Sequence, residues 1–337
     1  MTITPIDVAD DATMSQMYAV VGACRQHDRP LFVRPPQAAV IEELRHADPG
    51  EKVHLWAIWD GDTMVGVLTA WLFLTDNLTT MWCLVDVHPE HRGRGHGTRG
   101  LQVLVDFARA NGRTRMVTES HYPADRAEDH PFRMFAERRG FTLAQTEIIR
   151  RLELPVAPDL LAQLAHEARA AYQGRYRVES YEEVPPALRP SLCDCMNRLS
   201  TDAPSGQIDW EPESLDPQRY QGYLDLDARM GRGRLTAVAV EERSGQVVAY
   251  SELLLQPGTS RASQWGTLVR VGHRGHRLGL AVKVANLIAL QARHPQRVDV
   301  TTGNAHDNPW MVSVNERLGF QPIELGPSFY RDLEPTA

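Results

Sequence analysis

Two stretches of the chain could do chemistry by residue type and spacing: VHPEHRGRGHGTRG at residues 87–100 and VRVGHRGHRLGLA at 269–281. Each places an arginine and glycines directly ahead of an apolar run. An arginine followed by small residues, where a strand turns into a helix, is anion-binding chemistry. Small residues admit a ligand close to the backbone, and the first amides of a helix are unpaired donors at the positive end of its dipole. The chain holds no G-x-x-x-x-G-K-[ST] loop, which argues against a nucleoside triphosphatase.

The elements that must position these stretches are repeated as well. Val87, His91, Arg92, Gly93 and Gly97 align without a gap with Val269, His273, Arg274, Gly275 and Gly279, an offset of 182 residues. Downstream, FAERRGF (135–141) is echoed by VNERLGF (314–320), and ordered similarity of this kind means duplication. Residues 52–73 read as a hairpin turning at Asp60-Gly61-Asp62, and 234–255 as its counterpart turning at Ser244-Gly245. Each is followed by a strand (81–87; 264–271), the Gly-rich turn, a helix (98–110; 279–292), a strand (115–120; 297–302), a helix ending in Gly-Phe and a last strand. The order hairpin, strand, turn, helix differs from the βαβ start of a dinucleotide-binding domain. A Pro-bracketed segment with one amphipathic helix separates the halves, so the expected domains are 1–153 and 175–337 with a linker over 154–174.

In that order of elements both halves resemble the GNAT superfamily of acyl-CoA-dependent N-acyltransferases, whose signature is [Q/R]-x-x-G-x-[G/A] after a central strand. Arg92-Gly93-Arg94-Gly95-His96-Gly97 satisfies it, and Arg274-Gly275-His276-Arg277-Leu278-Gly279 satisfies it except that Arg277 replaces the middle glycine. The paired layout is similar to mycothiol synthase and related actinobacterial tandem acetyltransferases. The resemblance implies an α/β (α+β) fold of two tandem GNAT domains, each a mixed central sheet with a splayed fourth and fifth strand flanked by helices.

It also implies roles. Amides from Gly93 to Gly97, following the cofactor-binding Arg92, would cradle the pyrophosphate of acetyl-CoA as co-substrate, the backbone of Val85 and Val87 would pair with the pantetheine arm, and Thr98 would start the helix. In the second half the matching positions are Val269 and Val271 on the strand, then Arg274 to Gly279. Asn304 and Asn308 sit where polar side chains hold pantetheine or cap the next helix, and Pro309 after Asn308 suits a cap equally. Arg277 leaves two readings open: an αR residue at the helix start whose guanidinium joins in phosphate binding, with binding retained, or a weakened second site.

Acetyl transfer to an amine requires a base for the ammonium proton and an acid for the leaving thiolate. The family's acid on the fourth strand falls on Leu84 and Gly266, and its tyrosine falls on Ala136 and Asn315, so neither half has either group. The substitutes in reach are Asp86, on the same strand face as Leu84; Glu119, at the end of the next strand; and Glu252, an acid inside the apolar run AYSELLL whose burial would raise its pKa. The implied function is an acetyl-CoA-dependent N-acetyltransferase acting on a small primary amine. The alternative is a non-catalytic acyl-CoA-binding or regulatory protein.

Bulk properties agree with a globular enzyme of two domains. A net charge of −7 argues against nucleic acid as the main partner and mildly favours a cationic substrate. No apolar run of membrane-spanning length occurs and the N-terminal residues lack a secretory layout, so the reading is cytoplasmic with no membrane partner. The expected assembly is a monomer or homodimer. Cys193-x-Cys195 is not a zinc spacing and no Cys/His pair completes one, so Cys24, Cys83, Cys193 and Cys195 read as small buried apolar residues and no metal is expected.

Overall fold

The computed structural model describes residues 1–27, 29–46, 48–202 and 206–334. It divides into two compact units: Met1–Thr146 with Gly206–Ile208 and the residues from Glu324 onwards, and Glu147–Ser205 with Asp209–Ile323.

Unit 1 contains β1 (Thr2–Pro5), α1 (Asp11–His27), α2 (Gln37–Arg45), β2 (Glu51–Asp60), β3 (Thr63–Phe73), β4 (Thr80–Val87), α3 (His96–Ala110), β5 (Arg115–Glu119) and α4 (Pro131–Glu137). β2 and β3 form the expected hairpin, closing with Asp60 opposite Thr63 across Gly61 and Asp62. The next strand, β6 (Thr142–Glu153), runs from unit 1 into unit 2. β3 reads as an almost continuous buried run rather than an alternation because both of its faces are covered. On one face α1 packs Met14, Met17, Val20 and Cys24 against Leu55, Ala57 and Val67. On the other, α3 turns Leu101, Leu104, Val105 and Ala108, at helical spacing, against Ile58, Leu68, Ala70 and Met81.

Unit 2 repeats the plan with α5 (Pro158–Tyr172), β7 (Tyr176–Tyr181), α6 (Arg189–Met196), α7 (Leu199–Asp202), α8 (Pro217–Met230), β8 (Gly233–Glu241), β9 (Val247–Leu255), β10 (Arg261–Val269), α9 (Leu278–Arg293), β11 (Asp299–Ala305) and α10 (Pro309–Leu318). α9 is buried on nearly every side, because α5 lays Leu161, Leu164 and Ala168 over the face that the sheet does not cover. The opposite sheet face is covered by α6 and α8, through Leu192, Cys193, Cys195 and Tyr220. All four cysteines are buried thiols.

The last strands are exchanged. In unit 1, β5 pairs antiparallel with Ser328–Asp332 of β12 (Gln321–Asp332); in unit 2, β11 pairs antiparallel with Glu147–Glu153 of β6. The division of the chain therefore differs from the 1–153, 154–174 and 175–337 read from the sequence. Each last strand follows its own half's Gly-Phe in sequence, and nothing in the repeat says which copy of the sheet it will complete.

Candidate active site

In unit 1 the parallel pairing of β4 with β5 runs only from Thr80–Trp82 to Arg115–Val117. Beyond it the strands part, while β4 stays paired with β3 through Val87. The gap opens into a cavity of about 560 Å³ whose walls include Leu84, Val85, Asp86, Val87, Thr118 and Glu119. An extended ligand arm can take the place of the missing strand along β4, with Val85 and Val87 as its backbone partners.

The Gly-rich turn forms the other end of the same cavity, lined by His91, Arg92, Gly93, Gly95, His96, Gly97 and Thr98. α3 starts at His96, two residues before the start read at Thr98, because Gly95 caps it in a left-handed conformation (φ 83°) that a side chain would strain. A Cβ built on Gly95 meets nothing within 4 Å, so the cradle is open on its ligand side. The signature arginine serves the loop itself: Arg92 Nε donates to the Val87 carbonyl at 3.1 Å, and its guanidinium lies over the Phe132 ring. Arg94 does not line the cavity; its Nη2 donates to the Glu90 carbonyl at 3.2 Å. Thr98 Oγ1 accepts from Arg139 Nη2 at 2.6 Å.

Two of the candidate acids, Asp86 and Glu119, share this cavity. Burial raises the pKa of each; Arg25 and Arg92 partly offset this at Asp86, and Arg25 and Arg29 at Glu119. The Glu119 side chain is exposed, and it is exposed to the cavity that it lines. The direction of its shift follows from that confinement. The register Trp82↔Val117, carried two residues on, sets Glu119 level with Leu84, where the family keeps its acid, while Asp86 is closer to the cradle. His121 also lines the cavity, and burial with Arg29 and Arg25 nearby holds its pKa down at about 3. Cys24 faces the same space, its thiol pushed up to about 12 mainly by burial and also by Asp86.

Sequence reasoning missed Arg25, Arg29, His121 and Cys24. Three lie on or just after an amphipathic helix whose facing strand cannot be read from its period. Arg29 is itself fixed by Glu324, with bonds of 3.0 and 2.7 Å, so residues far apart in the chain build this wall.

Unit 2 departs from the sequence reading at Val271, Arg277, Asn304 and Glu252, and takes the capping alternative at Asn308. Val271 is not on the strand: β10 ends at Val269, and Val271 stands 63% exposed in a single 3-10 turn. Arg277 is left-handed (φ 56°) rather than αR, and its guanidinium pairs with Glu167 of α5, which also binds Arg317. Asn308 caps α10, accepting from the Met311 amide at 3.1 Å. Asn304 is buried; its Oδ1 accepts from Arg150 Nη1 at 2.9 Å and from Asn315 Nδ2 at 3.0 Å, and its Nδ2 donates to the Ala305 carbonyl. Glu252 is sealed in an ion pair with Arg234 Nη1 at 2.6 Å and accepts from Thr236 Oγ1 at 3.1 Å. It shares the strand face of Tyr250, which packs with α6 and α8.

The rest of the second turn keeps its form. Arg274 Nε donates to the Val269 carbonyl at 3.3 Å, as Arg92 does to Val87, and Gly275 is left-handed at φ 84°. His276 Nε2 lies 3.0 Å from Arg175 Nη1, Leu278 is buried, and Gly279 packs near Val269.

Comparison with known proteins agrees with this geometry. Residues 21–141 match the acetyltransferase (GNAT) family. The chain has, along its whole length, the fold of tandem GNAT proteins. It is similar to a tandem GNAT protein from the clavulanic acid biosynthesis pathway (TM-score 0.79, 22% identity, 100% of this chain and 99% of that one). It is also similar to a GCN5-related N-acetyltransferase from Sphaerobacter thermophilus (0.64, 14%, 100% and 96%). A third likeness is a glucosamine N-acetyltransferase region of a fungal multi-domain β-N-acetylglucosaminidase (0.66, 15%, 98% and 38%). No curated protein matches the chain. Among the described residues no helix is long and apolar enough to cross a membrane.

Proposed function

We propose that unit 1 binds acetyl-CoA and transfers its acetyl group to the nitrogen of a small primary amine, and that unit 2 does not bind acyl-CoA. One observation supports this most: a single cavity runs from an anion cradle, past the free edge of a strand, to two carboxyls whose pKa values burial raises. The residues fit the co-substrate. Amides of the Gly93–Gly97 turn suit a pyrophosphate, and Val85 and Val87 suit an amide-bearing arm. When bound, the co-substrate supplies the thioester carbonyl that the amine attacks.

Glu119 is the base in this reading. An acceptor arrives as an ammonium ion, drawn by Asp86 and Glu119, and must lose a proton before its nitrogen can attack. A carboxyl with a raised pKa takes that proton at less cost than an ordinary one. His121, with its pKa held at about 3, stays neutral and is too weak a base for the task. The C–N bond then forms, the C–S bond breaks, and the second amine proton passes to the thiolate through cavity water. Asp86 holds the acceptor between Arg25 and Arg92. The likeness to a glucosamine N-acetyltransferase region supports an amine acceptor of metabolite size.

The test is calorimetric titration of acetyl-CoA into the full chain, with thiol release followed over a panel of small amines. One equivalent per chain is expected, abolished by Gly95→Glu, which puts a strained, anionic side chain into the cradle. Two equivalents, or unchanged affinity in Gly95→Glu, would remove the assignment to unit 1. Binding without thiol release for any amine would favour a non-catalytic acyl-CoA-binding protein.

A further inference from the structure

We infer that unit 1 holds a divalent transition-metal ion, zinc by its chemistry, between Asp60, His91 and His96. Three elements bring these residues together: Asp60 ends β2 at the hairpin turn, His91 lies in the turn after β4, and His96 opens α3. Their ligand atoms lie within 4.8 Å of one another. A tetrahedral ion with bonds of about 2.0–2.2 Å spaces its ligands about 3.3 Å apart. Binding would require the exposed Asp60 side chain and the half-buried His91 ring to rotate toward His96 by the difference.

The second observation is independent of the grouping. His96 is only 6% exposed, and its Nε2 is buried without a hydrogen-bond partner, 3.9 Å from Asp60 Oδ2. Nδ1 of the same ring lies 3.1 Å from the Met1 sulfur, so Nε2 is the atom turned toward Asp60. His91 Nδ1 is likewise buried and unpartnered. Buried polar nitrogens are nearly always paired, and two orphaned imidazoles beside one carboxylate need an explanation. A plain His96–Asp60 ion pair would satisfy one ring and leave the other. A metal ion satisfies both.

The donor set selects the ion. Two imidazole nitrogens and one carboxylate suit zinc, cobalt or nickel; magnesium and calcium prefer oxygen throughout. Three protein ligands leave a fourth position for water. The site was not legible in the sequence because His-x4-His with an acid 31 residues upstream is no familiar ligand spacing. A bound ion would tie both ends of the Arg92–Gly95 loop to the hairpin turn. The inference does not depend on what the cavity binds.

The experiment is a titration of Co²⁺ into the chelator-treated full chain without acyl-CoA, reading the visible absorption of protein-bound cobalt. One equivalent is expected to develop an intense low-symmetry spectrum, displaced by Zn²⁺ and untouched by Mg²⁺. Asp60→Asn and His91→Gln should each weaken binding at least about tenfold. Far-UV circular dichroism checks that both variants fold; neither replaces a fully buried side chain, so the test survives even if His96→Gln does not fold. No saturable spectrum, or the same spectrum and affinity in the Asp60→Asn/His91→Gln double variant, would overturn the site.

Discussion

The same four places around the strand divergence are filled differently in the two units. In unit 1 they are Leu101, Ser120, Ala136 and Phe329, all on the cavity wall. The repeat offsets carry Leu101 to Lys283 and Ala136 to Asn315. Sheet register carries Phe329, opposite Thr118, to Arg150, opposite Thr302, and Ser120 to Asn304. The unit 2 residues are buried and joined in one chain of hydrogen bonds: Arg150 to Asn304 (2.9 Å), Asn315 to Asn304 (3.0 Å) and Lys283 to Asn315 (2.8 Å). A pair of sheets with the same splay thus has a lined cavity in one copy and a self-satisfied polar core in the other. Duplication preserves what the backbone needs, such as the arginine that pins the turn. It does not preserve what a ligand needs.

The hardest test of that contrast is to remove one acid from each unit. Glu119→Gln should lower kcat/KM about 10²–10⁴-fold, the range for losing a general base, and erase the acid limb of the pH profile. The sign is fixed by the raised pKa: below it Glu119 is protonated and cannot accept the amine proton, so wild-type activity falls as pH falls through it. Glu252→Gln removes half of a buried ion pair and should cost stability, with the acid limb intact. An unchanged acid limb in Glu119→Gln would break the assignment of chemistry to unit 1.

Much of this contrast was legible in the residues, though not all of it in the right terms. The doubled His-Arg-Gly turn, the hairpins and the Gly-Phe helices marked the fold in outline, because backbone requirements leave local marks such as a glycine where φ is positive. The shared cavity of Asp86 and Glu119 was within reach through strand alternation. Glu252 misled because an acid in an apolar strand looks catalytic until its partner is known, and Arg234 is 18 residues away across a hairpin. Val271 was placed by extending a strand past the residue where it turns. The polar chain of unit 2 could not be read, since Arg150 reaches it only through the exchange of last strands.

Lys283 gives a smaller, sharper test. Burial, with Arg150 nearby, lowers its pKa from 10.5 to about 7. Between those values the unfolded chain binds a proton that the folded chain does not, so this residue makes stability rise with pH from about 7 to 10.5. Below 7 it adds no slope. Over that window its contribution is up to about 5 kcal/mol. Lys283→Met, close in volume to the original and to Leu101, should flatten that part of the profile in denaturant melts at several pH values. An identical pH dependence in the variant would mean that the amine is charged in the folded protein and that the polar chain is built differently.

The smallest effect separates two causes of the contrast. Unit 2 differs from unit 1 in the cradle, where Arg277 stands for Gly95, as well as in the polar chain below. Arg277→Gly relieves a left-handed side chain, worth about 1 kcal/mol. It also loses the half-exposed pair with Glu167, worth about 0–1 kcal/mol, and gives the unfolded chain more freedom. These terms nearly cancel, so the thermal midpoint should move by no more than about 2–4 °C. Acetyl-CoA stoichiometry should stay at one, because the Arg150–Asn304–Asn315–Lys283 chain still fills the place of the arm. A second equivalent appearing in Arg277→Gly would mean that one residue in the cradle, and not the core beneath it, closes unit 2.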